Sequence, residues 1–226
     1  MKQAITHVYC VPGLAADISI FEHIKLPEST YELHVIPWQI PEKGEPIAVY
    51  AKRMCKAVIH ENSVLLGVSF GGVMAQEMSK FLKLSKLIIV SSVKSNLELP
   101  RRMKIAKSTK AYKILPTALV SKIDDWEKLA FGDFAKKRAA MYQKYLSLND
   151  KVYLDWAIEN MVCWEQETVI PNIIHIHGDK DIVFPIANIK NCIVLEGGTH
   201  VMIINRARWF NKHLPSIMEG TFVDNG

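Results

Sequence analysis

Six short apolar runs, rich in Val, Ile and Leu, alternate with stretches of helical periodicity along this chain. The runs do not alternate strictly between apolar and polar residues, which is typical of strands covered on both faces. They lie at residues 6–11, 31–37, 64–68, 87–92, 173–177 and 192–195, and the helical stretches lie at 47–60, 71–82 and 201–214. The alternation predicts an α/β fold with a doubly wound, mainly parallel six-stranded sheet.

The length and composition fit one such domain. The chain has 226 residues, of which 49% are hydrophobic and 23% charged. A unit of this size buries roughly 70–75% of its unfolded surface, so residues 1–226 need no metal or disulfide to form a core. The fourth and fifth strands are separated by far more residues than a crossover helix requires. Residues 97–165 are therefore predicted to form a helical lid inserted in the domain.

The charge pattern and the cysteines exclude several kinds of protein. The net charge is +5, and acidic residues are interspersed with the basic ones, which disfavours a nucleic-acid partner. No apolar run approaches the roughly 18–20 residues of a membrane helix. The N-terminal residues have no signal-peptide pattern, and Cys10, Cys55, Cys163 and Cys192 form no CxxC pair. These features predict buried thiols in a cytoplasmic protein.

The motif Gly67-Val68-Ser69-Phe70-Gly71 stands between an apolar run and a helical pattern. A serine on such a sharp strand-to-helix turn projects its hydroxyl above the sheet, and the two glycines leave room for the turn. The helix N-terminus then directs free N–H groups towards developing negative charge. Ser69 is therefore the candidate nucleophile.

A serine nucleophile requires a histidine base and an acid that orients the base, in the chain order Ser, acid, His. His200 follows a glycine pair after the sixth strand and is the candidate base. Two aspartates after the fifth strand compete for the role of the acid. Asp181 is preferred because it has room to reach His200, whereas Asp179 is expected to cap the turn. Glu196 is a weaker third candidate.

These motifs together resemble the α/β-hydrolase superfamily, in which a strand ending in H-G-x-x-D and a later G-x-H complete a serine triad. The matching segments here are His177-Gly178-Asp179-Lys180-Asp181 and Gly198-Thr199-His200. The resemblance extends from Thr6 to about Leu214 and is closest to small, lid-bearing, esterase-like bacterial serine hydrolases. Their "GLxAD" first loop corresponds to Gly13-Leu14-Ala15-Ala16-Asp17. The resemblance implies a six-stranded core without the first two strands of the superfamily.

The resemblance implies an oxyanion hole formed by the backbone N–H groups of Leu14 and Phe70. Pro12 stands where many relatives carry a histidine, so any hydrogen bond made by that histidine is lost. The implied reaction is hydrolysis of a small or medium, partly apolar carboxylic ester through an acyl-enzyme, without a cofactor or metal. The apolar character is expected from six bulky residues of the lid: Trp126, Trp156, Trp164, Met103, Met141 and Met161.

Other functions fit the same residues. An acyl thioesterase or a C–C bond hydrolase would use the same triad, and a binding or receptor protein would use the same fold without catalysis. A basic run opens the lid, and it is either a solvated helix face or a docking site for an anionic carrier, namely acyl carrier protein or coenzyme A. The run comprises Lys94, Arg101, Arg102, Lys104, Lys107, Lys110 and Lys113.

His175 and His177 share one face of a strand, a spacing that also suits a metal. No further ligand set accompanies them, so they are interpreted as core histidines.

Overall fold

The six predicted strands form one open sheet in which every neighbouring pair is parallel. The computed structural model describes residues 4–114, 144–146 and 148–223. The strands are β1 (Thr6–Val11), β2 (Tyr31–Val35), β3 (Ser63–Val68), β4 (Leu84–Val90), β5 (Ile174–Gly178) and β6 (Ile193–Leu195). Their order in the sheet is β2-β1-β3-β4-β5-β6. The winding reverses between β1 and β3, the position where open α/β sheets bind ligands at the carboxyl ends of the strands.

Helices cover both faces of this sheet, so the predicted doubly wound architecture is confirmed. The helices are α1 (Ile47–Met54), α2 (Phe70–Ser79), α3 (Arg101–Thr109), α4 (Lys151–Val162), α5 (Met202–Asn205) and α6 (Ala207–Glu219). Short 3₁₀ turns lie at Ile18–Phe21, Cys55–Ala57, Asn96–Glu98, Ala111–Lys113 and Ile186–Asn188. The α1, α2 and α4 helices pack on one face, and α5 and α6 pack on the other. Within the described ranges, no helix combines the length and apolarity needed to cross a membrane.

The strands contribute to both cores at once. Along β1, Tyr9 and Val11 point towards α1 and α2, while Val8 and Cys10 point towards α6. Both sets are buried because successive side chains of a strand lie on opposite faces. This two-sided burial explains why the strands appear in the sequence as continuous apolar runs.

Two predicted helices have wrong boundaries. The helix predicted over 47–60 ends at Met54 and continues only as the 3₁₀ turn Cys55–Ala57, because the chain is already extended at Val58. The helix predicted over 201–214 is two helices, α5 and α6, separated at Arg206. The second of these runs on to Glu219 and ends at Gly220, whose φ of 75° forms a left-handed cap.

The described parts of the predicted lid pack against the domain. Trp156, Trp164 and Met161 are buried, whereas Trp126 and Met141 lie outside the described residues, as does most of the segment between α3 and α4. The described residues just before α4 contact the loop that follows β1. There the Leu148 N–H donates to the Ala15 carbonyl at 3.1 Å.

The first turn of α2 approaches the end of β1 very closely at Gly71. A Cβ added there would stand 2.2 Å from the Pro12 carbonyl oxygen and 2.3 Å from that of Val11. Both distances are far inside van der Waals contact, so α2 lies directly on the end of β1. Only glycine allows that approach.

We therefore expect Gly71→Ala to lower the free energy of unfolding by about 3 kcal/mol or more, the upper end of overpacking costs. The matched control is Gly44→Ala. Gly44 has a φ of +70° and open space around the position of a Cβ. In this control the free energy of unfolding should fall by only about 1 kcal/mol, the cost of placing a side chain in the left-handed region. Urea unfolding of both variants measures the difference, and equal losses would contradict the packing described here.

Candidate active site

Ser69 lies at the turn between β3 and α2 in a strained backbone conformation. Its φ of 55° and ψ of −121° are rare for a residue with a side chain. The Ser69 N–H donates to the Val90 carbonyl at 2.9 Å, and the Ser69 carbonyl accepts from the Ser92 hydroxyl at 2.7 Å. Backbone and side-chain bonds from the adjacent strand therefore hold this residue in its unfavourable conformation.

His200 joins Ser69 to Asp181. The imidazole Nε2 is 2.9 Å from the Ser69 hydroxyl, and Nδ1 is 2.9 Å from Oδ2 of Asp181. A carboxylate can only accept, so the proton of a neutral imidazole lies on Nδ1. Nε2 then has a free lone pair and accepts from the Ser69 O–H. This arrangement suits proton removal from the hydroxyl.

Asp181 is the most constrained member of the group, because its side chain is fully buried. Oδ1 accepts the backbone N–H groups of Val183 and Phe184 at 2.8 and 2.9 Å, while Oδ2 faces His200. Burial alone would raise the pKa of the carboxyl, but the hydrogen bond and charge of His200 and the backbone donor outweigh it. The net pKa of Asp181 is lowered, so the carboxylate is ionised at neutral pH.

The other two candidate acids lie elsewhere. Asp179 pairs with Lys180 at 3.2 Å, and Glu196 is exposed. Asp179 receives backbone hydrogen bonds from Gly197 and from its own residue, whereas Asp181 accepts the N–H groups of Val183 and Phe184 in the turn that follows. Asp181 caps the turn and holds the histidine with its two different oxygens, a double use that the sequence did not indicate.

The loop after β1 lies against Ser69. A Cβ on Gly13 would be 3.5 Å from the Ser69 Cβ, so the loop contacts the residue that carries the hydroxyl. Within the described chain, the backbone N–H groups of Leu14 and Phe70 donate to no other residue. Both predicted oxyanion donors are thus available to a ligand.

Trp38 supports this loop from the side. Its indole N–H donates to the Gly13 carbonyl at 3.0 Å, and its ring stacks on Phe70 with centroids 5.4 Å apart. Trp38 therefore contacts both segments that carry the predicted oxyanion donors. Sequence analysis missed this residue, because a single tryptophan in a loop after β2 carries no local signal.

The two strand histidines form a buried chain behind Asp181. His175 Nε2 is 3.1 Å from His177 Nδ1, and His177 Nε2 is 2.8 Å from the Phe184 carbonyl. Burial lowers the pKa of both imidazoles, so they are neutral. Since a carbonyl only accepts, His177 donates from Nε2, and the pair secures the turn that carries Asp181.

Most members of the basic run are already paired. Lys94, included in the predicted anion site, is buried, and its ammonium contacts the carbonyls of Lys190 and Asn191. Arg102 donates to the carbonyls of Ile182 and Val183 at 2.9 and 2.7 Å. Further partners are Leu97 for Lys104, Glu165 for Lys107 and Glu159 for Lys113. Among the residues that the structure describes, only the side chains of Arg101 and Lys110 in this run lack a partner.

The lowered pKa of Asp181 makes stability depend on pH. A carboxyl with a lower pKa in the folded chain stabilises it above the unfolded pKa, and the contribution is lost as pH falls through the folded pKa. We expect Asp181→Asn to lose about 2 kcal/mol at pH 7, because two N–H donors and the imidazole lose a charged acceptor. The loss relative to wild type should shrink as pH falls towards about 3. Urea unfolding across this range measures it, and a constant difference would contradict the assignment.

Comparisons with known proteins identify the fold through structure rather than sequence. The sequence matches no protein-family model and no curated protein. An esterase from Exiguobacterium antarcticum superposes with a TM-score of 0.70 and 18% identity, over 97% of this chain and 93% of the esterase. The enol-lactonase from Burkholderia xenovorans LB400 superposes with a TM-score of 0.68 and 14% identity, over 96% of this chain and 92% of the lactonase. A bromoperoxidase from Bacillus anthracis superposes with a TM-score of 0.66 and 17% identity, over 96% of this chain and 93% of the bromoperoxidase. Together with the sheet order, these similarities show that the chain has the α/β-hydrolase fold.

Proposed function

We propose that this protein is a serine hydrolase that cleaves a carboxylic ester of a small or medium, partly apolar compound. One observation carries the proposal: the His200 imidazole bonds Ser69 through one nitrogen and the buried Asp181 carboxylate through the other. Similar structures include proteins named esterases and an enol-lactonase, and a lactone is a cyclic ester. At these low identities the similarity supports the reaction class and leaves the roles of the residues to the geometry.

In the first half of the proposed reaction, Ser69 Oγ attacks the ester carbonyl carbon and forms a new C–O bond. His200 Nε2 removes the hydroxyl proton as the bond forms and becomes a cation. Asp181 keeps its negative charge, holds the Nδ1–H and stabilises the charged imidazole. The tetrahedral intermediate then collapses, the alkoxide leaves with the proton from Nε2, and an acyl-Ser69 ester remains.

In the second half, water attacks the acyl carbon while His200 Nε2 takes one of its protons. Collapse of this second intermediate returns the proton to Ser69 Oγ and releases the acid. In both halves the carbonyl oxygen acquires negative charge, which the N–H groups of Leu14 and Phe70 would stabilise. The hydrogen bond from Trp38 to the Gly13 carbonyl fixes the orientation of the first donor in advance.

The apolar character of the substrate is proposed from the side chains near Ser69. Trp38 and Phe70 lie beside the oxyanion loop, and Phe184 contacts the His200 ring edge-on with centroids 5.5 Å apart. We further propose that residues 97–165 act as a lid inserted in a single domain spanning 1–226. The hydrogen bond from the Leu148 N–H to the Ala15 carbonyl, in the loop after β1, supports this proposal. Cys10, Cys55, Cys163 and Cys192 are not joined by disulfides, which supports the proposed cytoplasmic location.

A fluorophosphonate probe tests the proposal directly, because it reacts covalently only with an activated serine. We expect one probe per wild-type chain and none in Ser69→Ala. Ser91→Ala serves as a control, since it removes a nearby buried hydroxyl that has no hydrogen-bond partner among the described residues and should leave Ser69 reactive. Labelling that persists in Ser69→Ala would refute the assignment of the nucleophile.

Two matched variants test which acid serves the histidine. Asp181→Asn should lower kcat by about 10⁴-fold, because an amide no longer selects the Nδ1–H tautomer of the imidazole. Asp179→Asn, two residues earlier in the same turn, should leave kcat near the wild-type value. Steady-state hydrolysis of a chromogenic short-chain ester measures both. A large loss in Asp179→Asn, or none in Asp181→Asn, would contradict the assignment.

The alternatives differ in the pocket and not in the triad. The basic run is the feature that favours a thioesterase acting on a carrier such as coenzyme A. Most of its cations are paired within the protein, which weakens this alternative. Parallel rates for ester, coenzyme A thioester and C–C bond substrates separate these activities. A binding or receptor protein would give no labelling of Ser69 at all, despite the contact with His200.

A further inference from the structure

A group of histidines that the proposed function does not use lies at the β1–β2 edge of the sheet. The register pairs His7 with Glu32 and Tyr9 with His34, so these four side chains share the face that α1 covers. His60, from the loop before β3, stacks on His7 with ring centroids 3.4 Å apart. Three imidazoles from three separate chain segments therefore converge on one point, and the Glu32 carboxylate lies beside two of them.

In this histidine cluster (His7, His34 and His60, with Glu32 beside the first two), the ligand nitrogens of the three histidines are close enough to share an ion. His7 Nδ1 and His34 Nε2 are 3.0 Å apart, and the ligand nitrogens of all three histidines lie within 4.8 Å of one another. The Glu32 oxygens are 3.5 Å from His7 Nδ1 and 3.6 Å from His34 Nε2. Two nitrogens on a tetrahedral zinc ion stand about 3.3 Å apart, so the observed spacing is near that of a ligand set.

We propose that the histidine cluster binds one divalent zinc ion through His7, His34 and His60, with Glu32 as the fourth ligand. Imidazole suits zinc, and three imidazoles with one carboxylate give four-coordinate tetrahedral geometry. Glu32 also supplies negative charge beside the ion. The parallel rings of His7 and His60 must tilt apart on binding so that both lone pairs point at the metal.

Tyr9 supplies the outer hydrogen bond that zinc-binding histidines usually have. Its hydroxyl is 2.7 Å from Nδ1 of His60 and also accepts the Ile59 N–H at 3.2 Å. With Nδ1 of His60 engaged by Tyr9, Nε2 is the nitrogen that faces the ion. An outer partner of this kind fixes the tautomer and the orientation of the ring.

The place of the cluster in the sheet indicates a structural role. His7 precedes the end of β1 by four residues, so about 13 Å of strand separates it from the oxyanion loop. The ion would join an edge strand, its neighbour and the loop before β3. The side chains of His7 and His34 are 21% and 26% exposed, which leaves a path for an aqueous ion. Binding only to the folded chain raises stability by mass action.

Calorimetric titration of the metal-free full chain with zinc chloride tests the proposal. We expect one zinc ion per chain and a rise in Tm with zinc concentration. His34→Ala should weaken binding by about 100-fold or more, and Tyr9→Phe, which keeps the ring and loses the hydroxyl, by about tenfold. Glu32→Gln changes a half-exposed side chain, should fold normally, and should weaken binding as well.

Two control variants exclude other histidine sites. His23→Ala removes an exposed imidazole next to Glu22, and His200→Ala removes the imidazole beside Asp181; both should bind zinc as tightly as wild type. Cobalt(II) in place of zinc should give the visible absorption of a tetrahedral site without a thiolate-to-metal band. Absence of binding by wild type, unchanged affinity in both His34→Ala and Glu32→Gln, loss of binding in His200→Ala or a thiolate band would overturn the proposal. None of these readouts depends on hydrolase activity.

Discussion

The close contact between the first turn of α2 and the end of β1 is the constraint on which the site depends. The backbone oxygens of Val11 and Pro12 lie where a Cβ of Gly71 would be. Because helix and strand touch there, the chain between β3 and α2 must reverse within one residue, and Ser69 takes up that strain. The same contact sets the loop after β1 against the serine. A raised hydroxyl and two free N–H groups thus follow from one packing requirement.

The buried carboxylate of Asp181 is the second organising element. Its two oxygens have separate partners, so closing the acid turn and holding His200 occur together. Arg102 binds the carbonyls of the same turn from α3, and His177 supports it from below through Phe184. One residue of the basic run that suggested an anionic partner, Arg102, therefore binds the turn of the candidate acid. These contacts of Arg102 and His177 explain how an irregular loop holds the Asp181 carboxylate in one position.

Sequence patterns predicted much of this arrangement because its signals are local. The strands were found at nearly their observed bounds, since burial on both faces leaves continuous apolar runs. Helix ends were predicted less well, as at Met54 and Arg206, because tertiary contacts compete with helical periodicity there. In the sequence, only its greater reach favours Asp181 over Asp179. The structure brings the three candidate residues into contact, while their catalytic roles remain predictions.

The sequence by itself determined the sheet, its two-sided core and the three residues of the candidate site, because each depends on neighbours in the chain or on chain order. Only the tertiary structure decided which residues support them. Trp38 and Gly13 are 25 residues apart, and Arg102 and Val183 are 81 residues apart, yet each pair is joined by a hydrogen bond. The histidine cluster depends on the register between β1 and β2. No local pattern marks such pairs, because their partners meet only when the sheet has formed.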